Sequence, residues 1–407
     1  MNILDRFLKY VAIDTTSNPE KNNNPTSENQ RQLANVLVKE LNDLNIDVYY
    51  DEEHCYVYGK LRGNSSLPSI GFVSHLDTSP SASGKDIKPR IIENYDGNDI
   101  GLDNGDILSV EKYNDLKNHV GKTLIVTDGN TLLGADDKAG IAEIMDMLEY
   151  YIYSNEAHGD ILVCFTPDEE VGIGIMNLDT KRFNPDFAYT VDGSDLGEFS
   201  YENFNAGSVS IKIKGVPSHL GYAKGVLINA LRVAIEFDGF VPKEYPENTE
   251  GKEGYYVLHD LHGGISEATL IYHIRDFDIR NFKKRKEVLL KITEHLNKKY
   301  GNIIEINFKD LYYNMYDIIK KEKTLIDGTL KAMTEIGITP KVVPIRGGTD
   351  GTEISTMGIP CPNLGAGGHN FHSVHEYVCL EDMENISEIL KNIVRTFSKE
   401  MVRKREK

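Results

Sequence analysis

The chain has 407 residues, 40% of them hydrophobic and 27% charged, with a formal net charge of -18. The length allows two domains, and the composition is ordinary for a globular protein. The acidic balance argues against a nucleic-acid backbone as partner, and no apolar run approaches the ~20 residues that span a bilayer. Met1-Asn2-Ile3-Leu4-Asp5-Arg6 has an early acidic residue and no signal-peptide core, so the cytoplasm is the expected compartment. Cys55, Cys164, Cys361 and Cys379 are widely spaced with no CxxC, which predicts reduced, mostly buried thiols.

Leu4, Phe7, Leu8, Val11 and Ala12 fall at helical spacing over 4–13, and a polar loop with Pro19 and Pro25 follows. Leu33, Val36, Leu37, Leu41 and Leu44 predict an amphipathic helix over 31–44. Residues 48–50 and 56–60 read as a hairpin, and 70–75 as the next strand. That strand ends in Ser74-His75-Leu76-Asp77. Side chains two apart on a strand share a face, so His75 and Asp77 are expected to point the same way. An imidazole is the commonest metal ligand, and a carboxylate on its other ring nitrogen fixes the tautomer. Residues 91–110 contain two acidic, Gly-containing clusters that fail the calcium-loop template and read as solvated turns.

Leu124–Val126 reads as a short strand, followed by Leu133-Gly134-Ala135-Asp136-Asp137-Lys138-Ala139-Gly140 and a helix. Ile161–Phe165 is almost wholly apolar, as in a central parallel strand, and leads into Asp168-Glu169-Glu170. Phe187–Val191 ends in Asp192. Four strand-like runs thus each carry His, Asp or Glu at or just beyond the carboxyl end, where sites form in open α/β sheets.

From Ala206 the order becomes β-α-β-β-α-β, a split-βαβ sandwich. Its strands are predicted at 209–213, 255–261, 270–274 and 304–308, and its helices at 229–240 and 282–300. The expected domains are 1–205 and 319–407 as one catalytic unit, with 206–318 inserted. A helix over 319–336, strands at 341–345 and 361–364, and a closing helix over 383–402 complete the first unit. The fold class is therefore α/β: a layered catalytic domain with an inserted ferredoxin-like lid or dimerisation domain.

His75, Asp136, Glu169, Glu170, Asp192 and His372 form a mixed His/carboxylate set without thiolates, which suits Zn²⁺, Mn²⁺ or Co²⁺ at a catalytic site. Two ions sharing a carboxylate can clamp a water for hydrolysis, and a further carboxylate can take its proton. The residues alone leave open whether Glu169 or Glu170 does which task. They also leave open whether His372 or His375 is a ligand.

The succession Ser74-His75-Leu76-Asp77, Gly134-Ala135-Asp136-Asp137-Lys138-Ala139-Gly140, Asp168-Glu169-Glu170-Val171-Gly172, Val191-Asp192-Gly193 and His372-Ser373-Val374-His375-Glu376 resembles the M20 family of dinuclear metallopeptidases. The likeness spans essentially the whole chain. Ile345-Arg346-Gly347-Gly348-Thr349-Asp350-Gly351 and Cys361-Pro362-Asn363-Leu364 bring it nearest the aminotripeptidase branch. The resemblance implies two Zn²⁺ per subunit, one held by His75 and Asp192, the other by Glu170 and His372, with Asp136 between them. It implies that Asp77 orients His75, that Glu169 is the general base, and that the 136–137 peptide is cis. Family spacing selects His372 over His375. The resemblance also gives His219 a role at the scissile carbonyl oxygen, often from the other subunit of a homodimer. Asn229, Arg280 and Arg346 are weaker candidates for substrate contacts. His54, His158, His259, His262 and His273 are left as structural or surface residues. The expected substrates are tripeptides. The alternatives are a dipeptidase, carboxypeptidase or N-acyl-amino-acid deacylase of the same family, or a non-catalytic binding protein on the same scaffold.

Overall fold

The computed structural model describes residues 1–405, with side chains described through Ser398. Two compact units form: 1–201, 317–343 and 349–407 make the first, and 202–316 with 344–348 the second. The strip 344–348 groups with the second unit, a return that the linear order of predicted elements does not reveal.

The first unit is built on an eight-stranded sheet. At its centre Ile161–Thr166, Ile70–His75, Phe187–Gly193 and Asn363–Gly365 run parallel, in that spatial order. The hairpin Asp47–Asp51 and Tyr56–Leu61 closes one edge, and Glu198–Ser200 with Lys341–Val342 closes the other. Every residue of Ile70–His75 and Ile161–Thr166 is buried, which accounts for their continuous apolar text. The strand predicted over 341–345 shortens to Lys341–Val342 at the sheet edge.

Helix Ala135–Tyr153 is buried on nearly every side and packs on the sheet and on helix Leu380–Arg405. Its approach to the sheet depends on Gly140. A Cβ there would lie 2.1 Å from the Val191 carbonyl oxygen, so only glycine lets the helix start sit against the strand that carries Asp192.

A second, four-stranded antiparallel sheet joins Gly368–His369, Tyr377–Cys379, Leu124–Val126 and Arg90–Ile92. Leu124–Val126 therefore belongs to this small sheet and not to the main one. The reading of 91–110 as solvated turns also needs correction. Short strands form at Ile100–Gly101 and Ile107–Leu108, and Tyr95, Ile100, Leu102 and Leu108 pack with Leu116, Leu124, Val126, Tyr377 and Cys379 in a satellite core.

The second unit has the order Asn205–Lys214, Ala230–Phe240, Tyr255–Gly263, Glu267–Asp276, Ile279–Tyr300 and Ile304–Tyr312, which is β-α-β-β-α-β. Its antiparallel sheet runs first 255–263, then 267–276, 205–214 and 304–312. Val209, Ile211, Ile213, Leu270, Tyr272 and Ile274 turn to the helices, giving this unit its own core. All four cysteines are free and buried. Among the described residues, no helix is long and apolar enough to cross a membrane.

Candidate metal centre

The main sheet delivers His75 and Asp192 from adjacent strand ends and Glu169–Glu170 from the turn after Thr166. The small sheet delivers the rest. Asp136 follows Leu124–Val126, and His372 lies in the loop between Gly368–His369 and Tyr377–Cys379. His75 Nε2 is 2.9 Å from Asp136 Oδ1 and 3.4 Å from Asp192 Oδ1. His372 Nε2 is 3.0 Å from Asp136 Oδ2 and 2.9 Å from Glu170 Oε2. One buried carboxylate thus faces an imidazole with each of its oxygens. The Asp136–Asp137 peptide is cis.

Two ligands of a tetrahedral ion at ~2.0–2.1 Å lie roughly 3.3 Å apart, so the donor spacings suit a shared metal on either side of Asp136. Glu170 Oε1 is buried without a hydrogen-bond partner among the described residues, as expected of an oxygen kept for a cation. Asp137 also borders the His75 side. Its Oδ2 accepts from the His75 amide at 3.2 Å and from the Ser74 hydroxyl, while Oδ1 has no hydrogen-bond partner among the described residues.

The charges are strongly interdependent. Against the effect of burial, hydrogen bonds from His372 and His75 hold the Asp136 carboxyl well below the usual range. Those to Asp136 and Glu170 push the His372 imidazole up to about 10. Burial, then the charge of Asp136, raises Glu170 to about 7. Burial, then Asp192, drives Glu169 well above the ordinary carboxylate range. A carboxyl moved toward neutral pH is suited to taking and returning a proton.

Three carboxylates hold this geometry from behind. Asp77 accepts the Glu169 amide on Oδ1 at 3.0 Å and the Glu170 amide on Oδ2 at 3.3 Å. Its carboxylate was expected to orient His75, yet the nearer partner of His75 Nδ1 is the Asp77 backbone carbonyl, at 2.9 Å against 3.4 Å for Oδ1. The carboxylate is turned toward the two amides. Asp168, preceding the glutamates at φ 57°, is fastened by Asn24 Nδ2 (2.9 Å), the Thr26 amide (2.8 Å) and Gln30 Nε2 (2.6 Å). Glu376 accepts the amides of Leu133 (2.7 Å), Gly134 (2.8 Å) and Asp136 (3.0 Å), and so shapes the loop that presents Asp136. Sequence reasoning gave neither Asp168 nor Glu376 a role. The signal for Glu376 was its place directly after His375, and nothing local points to amides some 240 residues earlier.

His375 lies elsewhere: its Nε2 is 2.9 Å from Asp106 Oδ2, and its Nδ1 is 3.3 Å from the Tyr113 hydroxyl. In the second unit, exposed His219 begins a short 3₁₀ turn and accepts the Gly221 amide on Nδ1 at 3.2 Å. Asn229 caps helix Ala230–Phe240, and Arg280 pairs with Asp278 at its own helix start. Arg346 donates to the carbonyls of Gly251 (2.8 Å) and Glu253 (3.1 Å) and to Thr249 Oγ1 (3.0 Å), which ties down the 249–253 loop. Of the histidines left aside, His158 is buried on the Gly159 carbonyl, and His259 stacks on His273.

Residues 125–396 match the model of peptidase family M20/M25/M40. The peptidase T of Caldanaerobacter subterraneus subsp. tengcongensis is 49% identical over 404 residues, covering 98% of this chain and 99% of that one. That of Alkaliphilus oremlandii is 46% identical over 407 residues, 98% and 100% of the two chains. Among solved structures, aminopeptidase PepT from Bacillus cereus superposes with a TM-score of 0.79 at 21% identity, covering 98% of each chain. A dinuclear metal-binding M20 peptidase from Bacillus subtilis gives 0.68 at 13%, covering 96% of each. The chain belongs to the metal-binding peptidase family M20/M25/M40, in the group of the peptidases T.

Proposed function

We propose that this tripeptide aminopeptidase works through a dinuclear centre, with His75 and Asp192 on one ion, Glu170 and His372 on the other, and Asp136 on both. The observation that carries the reading is the Asp136 carboxylate, whose oxygens stand 2.9 and 3.0 Å from two imidazoles brought in by different sheets. Two Zn²⁺ per subunit are proposed, and Mn²⁺ or Co²⁺ suit the same donors. When bound, such ions lower the pKa of a coordinated water from ~15.7 toward ~7 and polarise the scissile carbonyl.

The chain's own residues do the rest. Glu169 accepts the proton of the attacking water and returns it to the departing amine, so the new amino terminus leaves neutral. Asp77 and Asp168 keep the Glu169–Glu170 turn in place, and Glu376 fixes the loop bearing Asp136. His219 is proposed to donate to the developing oxyanion, and Asn229, Arg280 and Arg346 to contact substrate. For these four the test separates binding from metal content: His219→Ala should lower kcat with bound metal unchanged. A homodimer through the second unit and a cytoplasmic location belong to the same reading.

The discriminating experiment is a length series on purified, zinc-loaded protein: Ala-Ala-Ala, Ala-Ala, Ala-Ala-Ala-Ala and acetyl-Ala. Fastest release of the first residue from the tripeptide is expected. Faster cleavage of acetyl-Ala would overturn the aminopeptidase assignment, and preference for Ala-Ala would make the enzyme a dipeptidase.

A further inference from the structure

A second cluster of metal-ligand residues lies in the first unit, on the satellite core under the small sheet. His119, His369 and Asp382 each bring a donor atom to within 4.8 Å of the other two, and all three side chains are buried. His119 closes the 3₁₀ helix Asn114–His119, His369 ends strand Gly368–His369, and Asp382 sits in the first turn of helix Leu380–Arg405. Three distant stretches of chain meet there, and none was singled out by spacing in the sequence.

The polar atoms are left poorly matched by the protein itself. Neither ring nitrogen of His119 has a hydrogen-bond partner among the described residues, although the residue is 3% exposed. Asp382 Oδ2 lies 3.4 Å from His119 Nδ1 without hydrogen-bonding alignment. His369 Nε2 is likewise unpartnered, while its Nδ1 faces Asp115 Oδ2 at 3.2 Å. A carboxylate on Nδ1 fixes the proton there and leaves the Nε2 lone pair free, as in the carboxylate–histidine–metal relay. Asp115 is held in turn by the Tyr377 hydroxyl. Asp382 Oδ1 is occupied by Lys122 Nζ at 2.7 Å, which leaves Oδ2 turned to the imidazoles. Tyr377 stacks on His369 with ring centroids 4.8 Å apart and meets His119 edge-on at 5.8 Å, so both rings are fixed in orientation. Burial, then His369, lowers His119 to about 4, and burial lowers His369, so both imidazoles are neutral, as ligation requires.

We propose that His119, His369 Nε2 and Asp382 Oδ2 bind a third, structural transition-metal ion of the Zn²⁺ class. Two imidazoles with one carboxylate suit zinc, cobalt or nickel better than calcium or magnesium, which take oxygen donors. The ion would clasp the 114–119 turn, the 368–369 strand and the closing helix, just behind the loop that carries His372. Closing such long chain segments favours the folded state, because the three ligands are not preassembled when the chain is unfolded. The assignment stands independently of the dinuclear reading, since it shares no ligand with it.

The test is anomalous diffraction from crystals of the intact protein that has been dialysed to nanomolar free zinc, with data on both sides of the zinc edge. A peak bonded to His119, His369 and Asp382 is expected. No peak there, a light-atom density typical of water, or a peak that appears only after soaking at crystal concentration would overturn the proposal. Total zinc in solution gives a second readout. His119→Phe should lose one equivalent per chain and part of the zinc-dependent rise in unfolding temperature, the remainder belonging to the dinuclear centre, while peptidase turnover at saturating metal stays within about twofold. Unchanged zinc content in that variant would equally refute it. If the variant fails to fold, the wild-type map decides alone. Should the dinuclear centre bind no metal, a peak at this cluster would still stand.

Discussion

Replacing Asp77 by Asn probes how the centre is held together. The side chain is fully buried, and its two oxygens accept the amides of Glu169 and Glu170 at 3.0 and 3.3 Å. A carboxamide offers one acceptor oxygen and turns an NH₂ toward the other amide. It keeps the shorter bond to Glu169, so the Glu170 amide is left facing a donor. A hydrogen bond to a charged acceptor contributes ~1.5–3 kcal/mol, and an unsatisfied buried donor costs ~1–3 kcal/mol; as two views of one lost contact they overlap and do not add, giving about 1.5–3 kcal/mol. Glu170 is a proposed ligand, and loss of a group that supports a ligand typically weakens metal affinity ~10–100-fold. Urea unfolding in the presence of chelator measures the first quantity, and competition with a chromophoric chelator measures the second. Activity lost at limiting zinc should return largely at saturating zinc, because the Glu169 amide keeps its acceptor. An Asp77→Asn protein within about 0.5 kcal/mol of wild type, the spread of an ordinary surface substitution, and with unchanged zinc affinity, would refute this account of the turn.

Glu376→Gln should lose the bond to the Asp136 amide and destabilise the protein by ~1.5–3 kcal/mol in urea, with weaker zinc binding as a consequence. His372→Ala should lose an equivalent of zinc and nearly all activity, whereas His375→Ala, whose partners are Asp106 and Tyr113, should retain both; metal analysis and peptide hydrolysis would expose the reverse pattern. In metal-free protein His372 is raised to about 10, so its ion pairs add stability that is complete below the unfolded value near 6.5 and is lost as pH climbs through about 10. Ligation needs the neutral ring, so zinc binding at pH 7.5 should release at least one proton per chain, and titration calorimetry in buffers of differing ionisation enthalpy would show none if the assignment is wrong.

The parts of the molecule that sequence made legible are those where periodicity or residue chemistry is local. Alternation at Val209, Ile211 and Ile213 marks a one-face-buried strand, and the apolar run at 161–165 marks a two-face-buried one, as the structure has them. The residues that gather around Asp136 sit at strand ends, where a charged residue after an apolar run stands out. The second unit's order followed from strand alternation and helical runs read along the chain. What escaped was carried by pairings without a period. Strands of two residues such as Ile100–Gly101 have no alternation to detect, so the buried Tyr95, Ile100, Leu102 and Leu108 were hidden in polar, turn-rich text. Glu376 acts on backbone amides, which leave no mark in side-chain spacing. His119, His369 and Asp382 meet only because the small sheet and the closing helix bring them together.

The most direct test of the central claim is Glu169→Gln assayed for zinc and tripeptide turnover on the same sample. Gln matches Glu in size but cannot take a proton at neutral pH. The account predicts the wild-type complement of zinc with kcat reduced by at least ~10²-fold, the usual contribution of a positioned general base. Wild-type turnover with zinc retained would contradict it.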